Sequence, residues 1–146
     1  LREEAGASSA VTLIRETFQI HAPPEQVFDL IDDVEGTVDF SNFIRDIETI
    51  GKDTYRYKVS VAGIPLSWDT KVTERVRPKR ISWESLRGIE LKGSFELVAT
   101  DFGSKVFFHM EYDIRNRLLA LVLEPLVSAL IRKVVAEAIE EVTVRL

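Results

Sequence analysis

The spacing of apolar positions changes period along the chain, and each period predicts a different element. Residues 11–20, VTLIRETFQI, are rich in β-branched and aromatic side chains and predict a strand. His21-Ala22-Pro23-Pro24 ends it, and Pro24 suits the first turn of a helix, where no amide hydrogen is needed. EQVFDLI continues that helix with Val27, Phe28 and Ile31 on one stripe, until Asp32-Asp33 and Gly36 break it. A second short helical turn is expected around Val38–Phe43.

From residue 44 the period becomes two. Tyr55, Tyr57, Val59 and Val61 alternate with Arg56, Lys58 and Ser60, and Leu66, Trp68, Thr70 and Val72 alternate with Ser67, Asp69, Lys71 and Thr73. Ile81, Trp83 and Ser85 oppose Arg80, Ser82 and Glu84. Leu91, Gly93, Phe95 and Leu97 oppose Glu90, Lys92, Ser94 and Glu96. Val106, Phe108, Met110, Tyr112 and Ile114 oppose Lys105, His109, Glu111 and Asp113. Such alternation marks antiparallel strands wet on one face and covered on the other. The breaks between them (GKD, GIP, RPK, RGI, DFGS) are short and carry Gly, Pro or Asp, as hairpins require.

The period then changes to that of a helix. Residues 118–139 read LLALVLEPLVSALIRKVVAEAI, with Leu119, Val122, Leu123, Leu126, Leu130, Val134 and Ala138 on one face. A helix this apolar must lie against an equally apolar partner, and the sheet supplies it. Pro125 predicts a kink or break near 121–125, with 126–145 as the regular part. The order strand, two short helices, meander and long helix predicts an α+β domain in which an antiparallel sheet wraps a C-terminal helix. One helix does not close a wide sheet, so a pocket is expected between them.

The length of 146 residues fits one domain, 11–146, preceded by an unpatterned tail, 1–10 (LREEAGASSA), expected to be flexible. A net charge of −5 argues against a broad nucleic-acid footprint, and no DNA partner is expected. The chain has no cysteine, which excludes disulfides and thiolate chemistry and fits a reducing cytoplasm. The apolar run 118–131 is too short for a bilayer span and contains Glu124 and Pro125.

Little in the sequence carries catalysis. Two histidines, His21 and His109, are too few for a histidine metal site, and both read as structural or solvated; no metal and no cofactor is expected. Nucleophile-elbow and phosphate-loop motifs are absent. Asp32-Asp33 and Glu140-Glu141 read as exposed. What stands out is an apolar, aromatic face with few polar exceptions (Thr70, Ser85 and Ser128, with Glu74 near one end). The expected cavity lining is Tyr57, Trp68, Thr70, Trp83, Ser85, Phe95, Phe108, Met110, Tyr112, Leu126, Leu130 and Val134. The same pattern also describes a dry core. Arg75-Val76-Arg77-Pro78-Lys79-Arg80 is basic and reads as a solvated hairpin tip, with an anionic head group or ribosomal RNA as the alternative.

ISWESLRGIELKGSFEL (81–97) and SKVFFHMEYDIRNRLLALVLEPL (104–126) resemble the polyketide cyclase/coenzyme Q-binding branch of the START-like (Bet v 1-like, SRPBCC) superfamily. The matching positions are Trp83, Gly88, Gly93, Phe95, Glu111-Tyr112, Asn116 and Pro125. IHAPPEQVFDLIDDVEGTVDF (20–40) is similar to that family's opening strand and first helix, through Val27, Phe28, Asp33 and Phe40. The resemblance implies a helix-grip fold: a curved seven-stranded antiparallel sheet around a long C-terminal helix, two short helices after the first strand, and a cavity between sheet and helix. The chain departs from the family at Thr37-Val38, where an aromatic followed by Pro is common, and at Asn42, where another Pro is common. The ligand need not therefore be a quinone.

Three functions follow as expectations. The first is non-catalytic binding or transport of a hydrophobic small molecule (a lipid, isoprenoid or quinone-like compound). The second is a polyketide cyclase or dehydratase, which needs an inward titratable group; Glu74 and Tyr112 are the candidates. The third is an interaction domain docking on a ribosome, membrane surface or protein partner through the basic hairpin. Oligomeric state is not legible.

Overall fold

The computed structural model describes residues 11–40, 44–61 and 63–113, together with positions 121, 125, 132, 133, 136 and 140. The elements are β1 (Val11–Ile20), α1 (Pro24–Asp32), a 3-10 helix (Glu35–Phe40), β2 (Ile44–Gly51), β3 (Thr54–Val61), β4 (Ile64–Val76), β5 (Arg80–Arg87), β6 (Glu90–Thr100) and β7 (Gly103–Asp113). All seven strands form one antiparallel sheet in the order β1-β7-β6-β5-β4-β3-β2. β2 to β7 are joined as successive hairpins, and β1 returns to pair with β7.

The predicted α1 is present, with Pro24 in its first turn and Val27 and Phe28 buried. The second helical segment is a 3-10 helix over Glu35–Phe40, closed at its start by the Thr37 amide and hydroxyl donating to the Val34 carbonyl; it overlaps the expected turn at 38–40, and 41–43 lie outside the described residues. Beyond Asp113, the described positions Leu121, Pro125, Arg132, Lys133, Ala136 and Glu140 have helical backbone and are exposed. The remainder of the predicted C-terminal helix lies outside the described residues, including Leu126, Leu130, Val134 and the expected kink near Pro125. Among the described residues no helix is long and apolar enough to cross a membrane.

The register assigns one side of the sheet to the core. On β7, Ser104, Val106, Phe108 and Tyr112 are buried on that side; on β1 it carries Ile14, Phe18 and Ile20, and on β6 Leu91 and Leu97. Val27 and Phe28 of α1 join the same cluster, so this is the inner face. The Ser104 hydroxyl donates to the Ala22 carbonyl at 2.6 Å, pinning the β1–α1 connection to the start of β7. Gly103 (φ 141°) permits that close approach, since a Cβ there would run into the Ile20 carbonyl and the Ala22 amide.

Two irregularities sit in the β4–β5 pair, between Asp69 and Thr70 and between Val72 and Glu74. The first leaves Leu86 as an extra residue on β5, 58% exposed. The second reverses the side-chain parity of the end of β4, because a bulge places two residues where the partner has one.

Candidate ligand-binding face

Following the register across the strands places every described member of the expected lining on the inner face. Tyr57 pairs with Trp68 across β3 and β4, and Thr70 pairs with Ser85 across β4 and β5. Trp83 faces Gly93, which faces Met110; Phe95 faces both Ile81 and Phe108; Leu91 faces Tyr112. The aromatic rings touch along these rows. Tyr57 and Trp68 stack with centroids 5.5 Å apart and planes 3° from parallel. The Phe95 centroid lies 5.4 Å from that of Trp83 and 5.1 Å from that of Phe108, giving a three-ring cluster across β5, β6 and β7. Such ring pairs contribute about 0.5–1.5 kcal/mol beyond the area they bury.

Burial along this face is uneven. Thr70, Phe108 and Tyr112 are buried, whereas Tyr57, Trp68, Trp83, Ser85, Phe95 and Met110 keep part of their surface accessible. Tyr57 is accessible along part of its surface but its phenol group is buried, and that burial, with Tyr55 beside it, holds the phenol well above its ordinary pKa, protonated and neutral. The Ser85 hydroxyl accepts a hydrogen bond from the Leu91 amide at 2.9 Å. The Thr70 hydroxyl is buried and has no hydrogen-bond partner among the described residues.

Glu74 does not take the inward position expected of it. The bulge after Val72 puts Glu74 opposite Ser82 on the outer face, exposed, accepting from the Ser82 hydroxyl at 3.2 Å and paired with Arg80 at 2.6 Å. The inward parity passes to Arg75, opposite Ile81. Arg75 donates to Asp32 at the end of α1 (2.9 Å) and to Asp53 in the β2–β3 hairpin (3.2 Å). Burial and the Asp53 carboxylate raise the nearby Tyr55 phenol, partly offset by Arg75. Tyr112 is inward, as expected, and 2% exposed.

Glu16, which is not among the residues expected from the sequence, occupies the inner face. It pairs with Phe108 between Ile14 and Phe18 and is half-buried. Among the described strands it is the carboxylate that the register turns inward. The signal that locates it is the even positions of 11–20 (Thr12, Ile14, Glu16, Phe18, Ile20), which alternate with exposed neighbours.

The basic stretch 75–80 is not a free-standing cationic tip. Arg77 makes a bidentate pair with Asp29 of α1 (2.8 and 2.9 Å), which holds the Asp29 carboxyl below its usual pKa. Arg80 pairs with Glu74 and, at 2.9 Å, with Glu96. The three arginines are thus matched by carboxylates from other segments, which the local sequence does not show. On the outer face Asp69 accepts from Arg56 and Arg87, and these bonds hold its carboxyl at about 2. His109 also lies on the outer face, opposite Arg15 and Ser94, partly covered. His21 is exposed on an open depression of about 350 Å³ between the β1–α1 connection and the β6–β7 hairpin, which none of the residues of the aromatic rows borders. No group of three or more potential metal ligands occurs among the described residues.

This architecture has many solved counterparts. The Thermus thermophilus protein TTHA0849 matches with a TM-score of 0.79 at 20% identity, over 92% of this chain and 96% of that one. The Zhui aromatase/cyclase from a Streptomyces strain, R1128, matches with a TM-score of 0.76 at 15% identity, over 92% and 93% of the two chains. A START superfamily protein from Mycobacterium smegmatis matches with a TM-score of 0.73 at 14% identity, over 91% and 97%. At these identities the likeness is one of fold. No curated protein matches the chain by sequence. The family described as polyketide cyclase/dehydrase and lipid transport matches residues 20–138, most of the chain, and the chain belongs to that family.

Proposed function

We propose that this protein binds or carries a hydrophobic small molecule, without transforming it, in a cavity between the inner face of the sheet and the C-terminal helix. The ligand is a lipid, isoprenoid or quinone-like compound. One observation carries the reading: a continuous set of aromatic and apolar side chains on five adjacent strands, with Tyr57, Trp68, Trp83, Phe95 and Met110 still partly accessible. Burying about 300 Å² of apolar ligand surface there contributes roughly 7 kcal/mol before the costs of association.

A second reading, a cyclase- or dehydratase-type enzyme, is favoured by Glu16 and Tyr112 facing the same side as the aromatic rows. A carboxylate and a phenol on one wall are groups that move protons during ring closure or water loss.

Native mass spectrometry of the protein purified from its own host separates the readings. A stoichiometric apolar adduct, extractable unchanged, is expected. Only the apo mass, together with conversion of added poly-β-ketone substrates, would contradict the carrier reading and support the enzyme.

A further inference from the structure

One row of the inner face differs from its neighbours. Thr49, Tyr55, Thr70 and Ser85 are successive cross-strand partners on β2, β3, β4 and β5, so four hydroxyl-bearing residues line up across the sheet. The rows alongside hold Tyr57 stacked on Trp68, and Val72 opposite Trp83. Two of the four hydroxyl residues lie toward the polar rim. Thr49 donates to Glu35, and Tyr55 lies within the field of Asp32, Asp53 and Arg75.

Thr70 and Ser85 are left at the inner end of the row. The Ser85 oxygen already accepts from the Leu91 amide, which leaves its O–H and one lone pair toward a ligand. Thr70 is 3% exposed and its hydroxyl has no partner among the described residues. A buried hydroxyl without a partner is costly to keep, and native structures rarely hold one without a reason. Directly paired side chains on a sheet stand about 5 Å apart at Cβ, a span that one ligand oxygen bridges.

We infer that Thr70 and Ser85 form the polar end of the ligand site and receive a neutral, carbonyl-type oxygen of an otherwise apolar, planar ligand. The inference rests on the cavity reading above and narrows it to a ligand class. The oxygen is an acceptor because both hydroxyls carry a proton with no acceptor among the described residues, while the Ser85 oxygen already accepts one bond. It is neutral because Arg75, the cation that the register turns inward among the described strands, is matched by Asp32 and Asp53. The ligand is planar because the flanking rows are aromatic and one pair is stacked within 3° of parallel.

Fluorenone and fluorene test this, since they share a shape and differ in one carbonyl. Affinity for each is measured on the parent protein, Thr70→Val and Thr70→Ser, with the denaturant midpoint of each apo protein. The parent is expected to prefer fluorenone. Thr70→Val should weaken fluorenone roughly three- to tenfold, the effect of one hydrogen bond, and leave fluorene unchanged. Thr70→Ser should keep fluorenone affinity to within about twofold. The apo Thr70→Val midpoint should be unchanged or higher, because the variant loses an unpaired polar group. If the parent binds both probes and Thr70→Val treats them alike, the polar subsite is wrong and the cavity stands. If the parent binds neither, the cavity reading falls, and the subsite with it.

Discussion

At Gly93 the absence of one carbon shapes the inner face. A Cβ there would lie 2.7 Å from the Trp83 ring and 2.8 Å from the His109 carbonyl oxygen, so only glycine lets the indole rest against β6. The carbonyl belongs to a paired strand and has nowhere to move. Gly93→Ala should therefore destabilise the protein by about 1–3 kcal/mol, read as a lower denaturant midpoint. Gly51→Ala is the control, since its added carbon would make only ordinary contact with Thr54 at 3.6 Å. The sequence marks Gly93 as an interruption in an apolar series. That Trp83 is the side chain filling the gap depends on the β5–β6 register, which no local pattern specifies. Glu16 is the converse case, legible from alternation alone once the even positions of β1 are taken together.

Among the elements, β4 carries most of what alternation misses. Its period of two holds from Leu66 to Val72, and then a bulge turns Glu74 outward and Arg75 inward. Bulges depend on the partner strand as much as on their own residues, so a run of alternating positions does not announce them. The ion pairs of the following hairpin are equally non-local: Arg77 reaches Asp29, and Arg75 reaches Asp32 and Asp53. Earlier in β4, Asp69 ties β3 to β5 through Arg56 and Arg87. Its folded-state carboxyl sits at about 2, below the ordinary 3.8, because the charged form is bonded to both arginines. The sign follows. This stabilisation is fully present above about pH 4 and is lost as pH falls toward 2. Urea midpoints measured against pH should show the parent more stable than Asp69→Asn near neutrality. The gap should narrow between about pH 4 and 2, and a gap constant with pH would contradict the assignment.

For the molecule as a whole, the sheet was legible because half-buried antiparallel strands print their two faces directly into the sequence. Each predicted strand is present, and the described lining residues share one face. Whether that face encloses space is a question of volume, and an alternating pattern carries no volume: a dry core and a ligand site read alike. Met110 separates them. It lies on the inner face between Ile14 and Gly93, partly accessible, with Trp83 beyond the glycine. Both tryptophans of the chain, Trp68 and Trp83, lie on this face, so their fluorescence reports occupancy of it. The most direct test is a titration of the parent and Met110→Trp with the neutral probe N-phenyl-1-naphthylamine, following energy transfer from tryptophan alongside the denaturant midpoint. A ligand cavity predicts saturable binding of one probe per parent chain, lost in Met110→Trp at little cost in stability, because the new indole fills open volume. No saturable binding by the parent, with Met110→Trp destabilised by about 1–3 kcal/mol, would show a solid core and contradict the account.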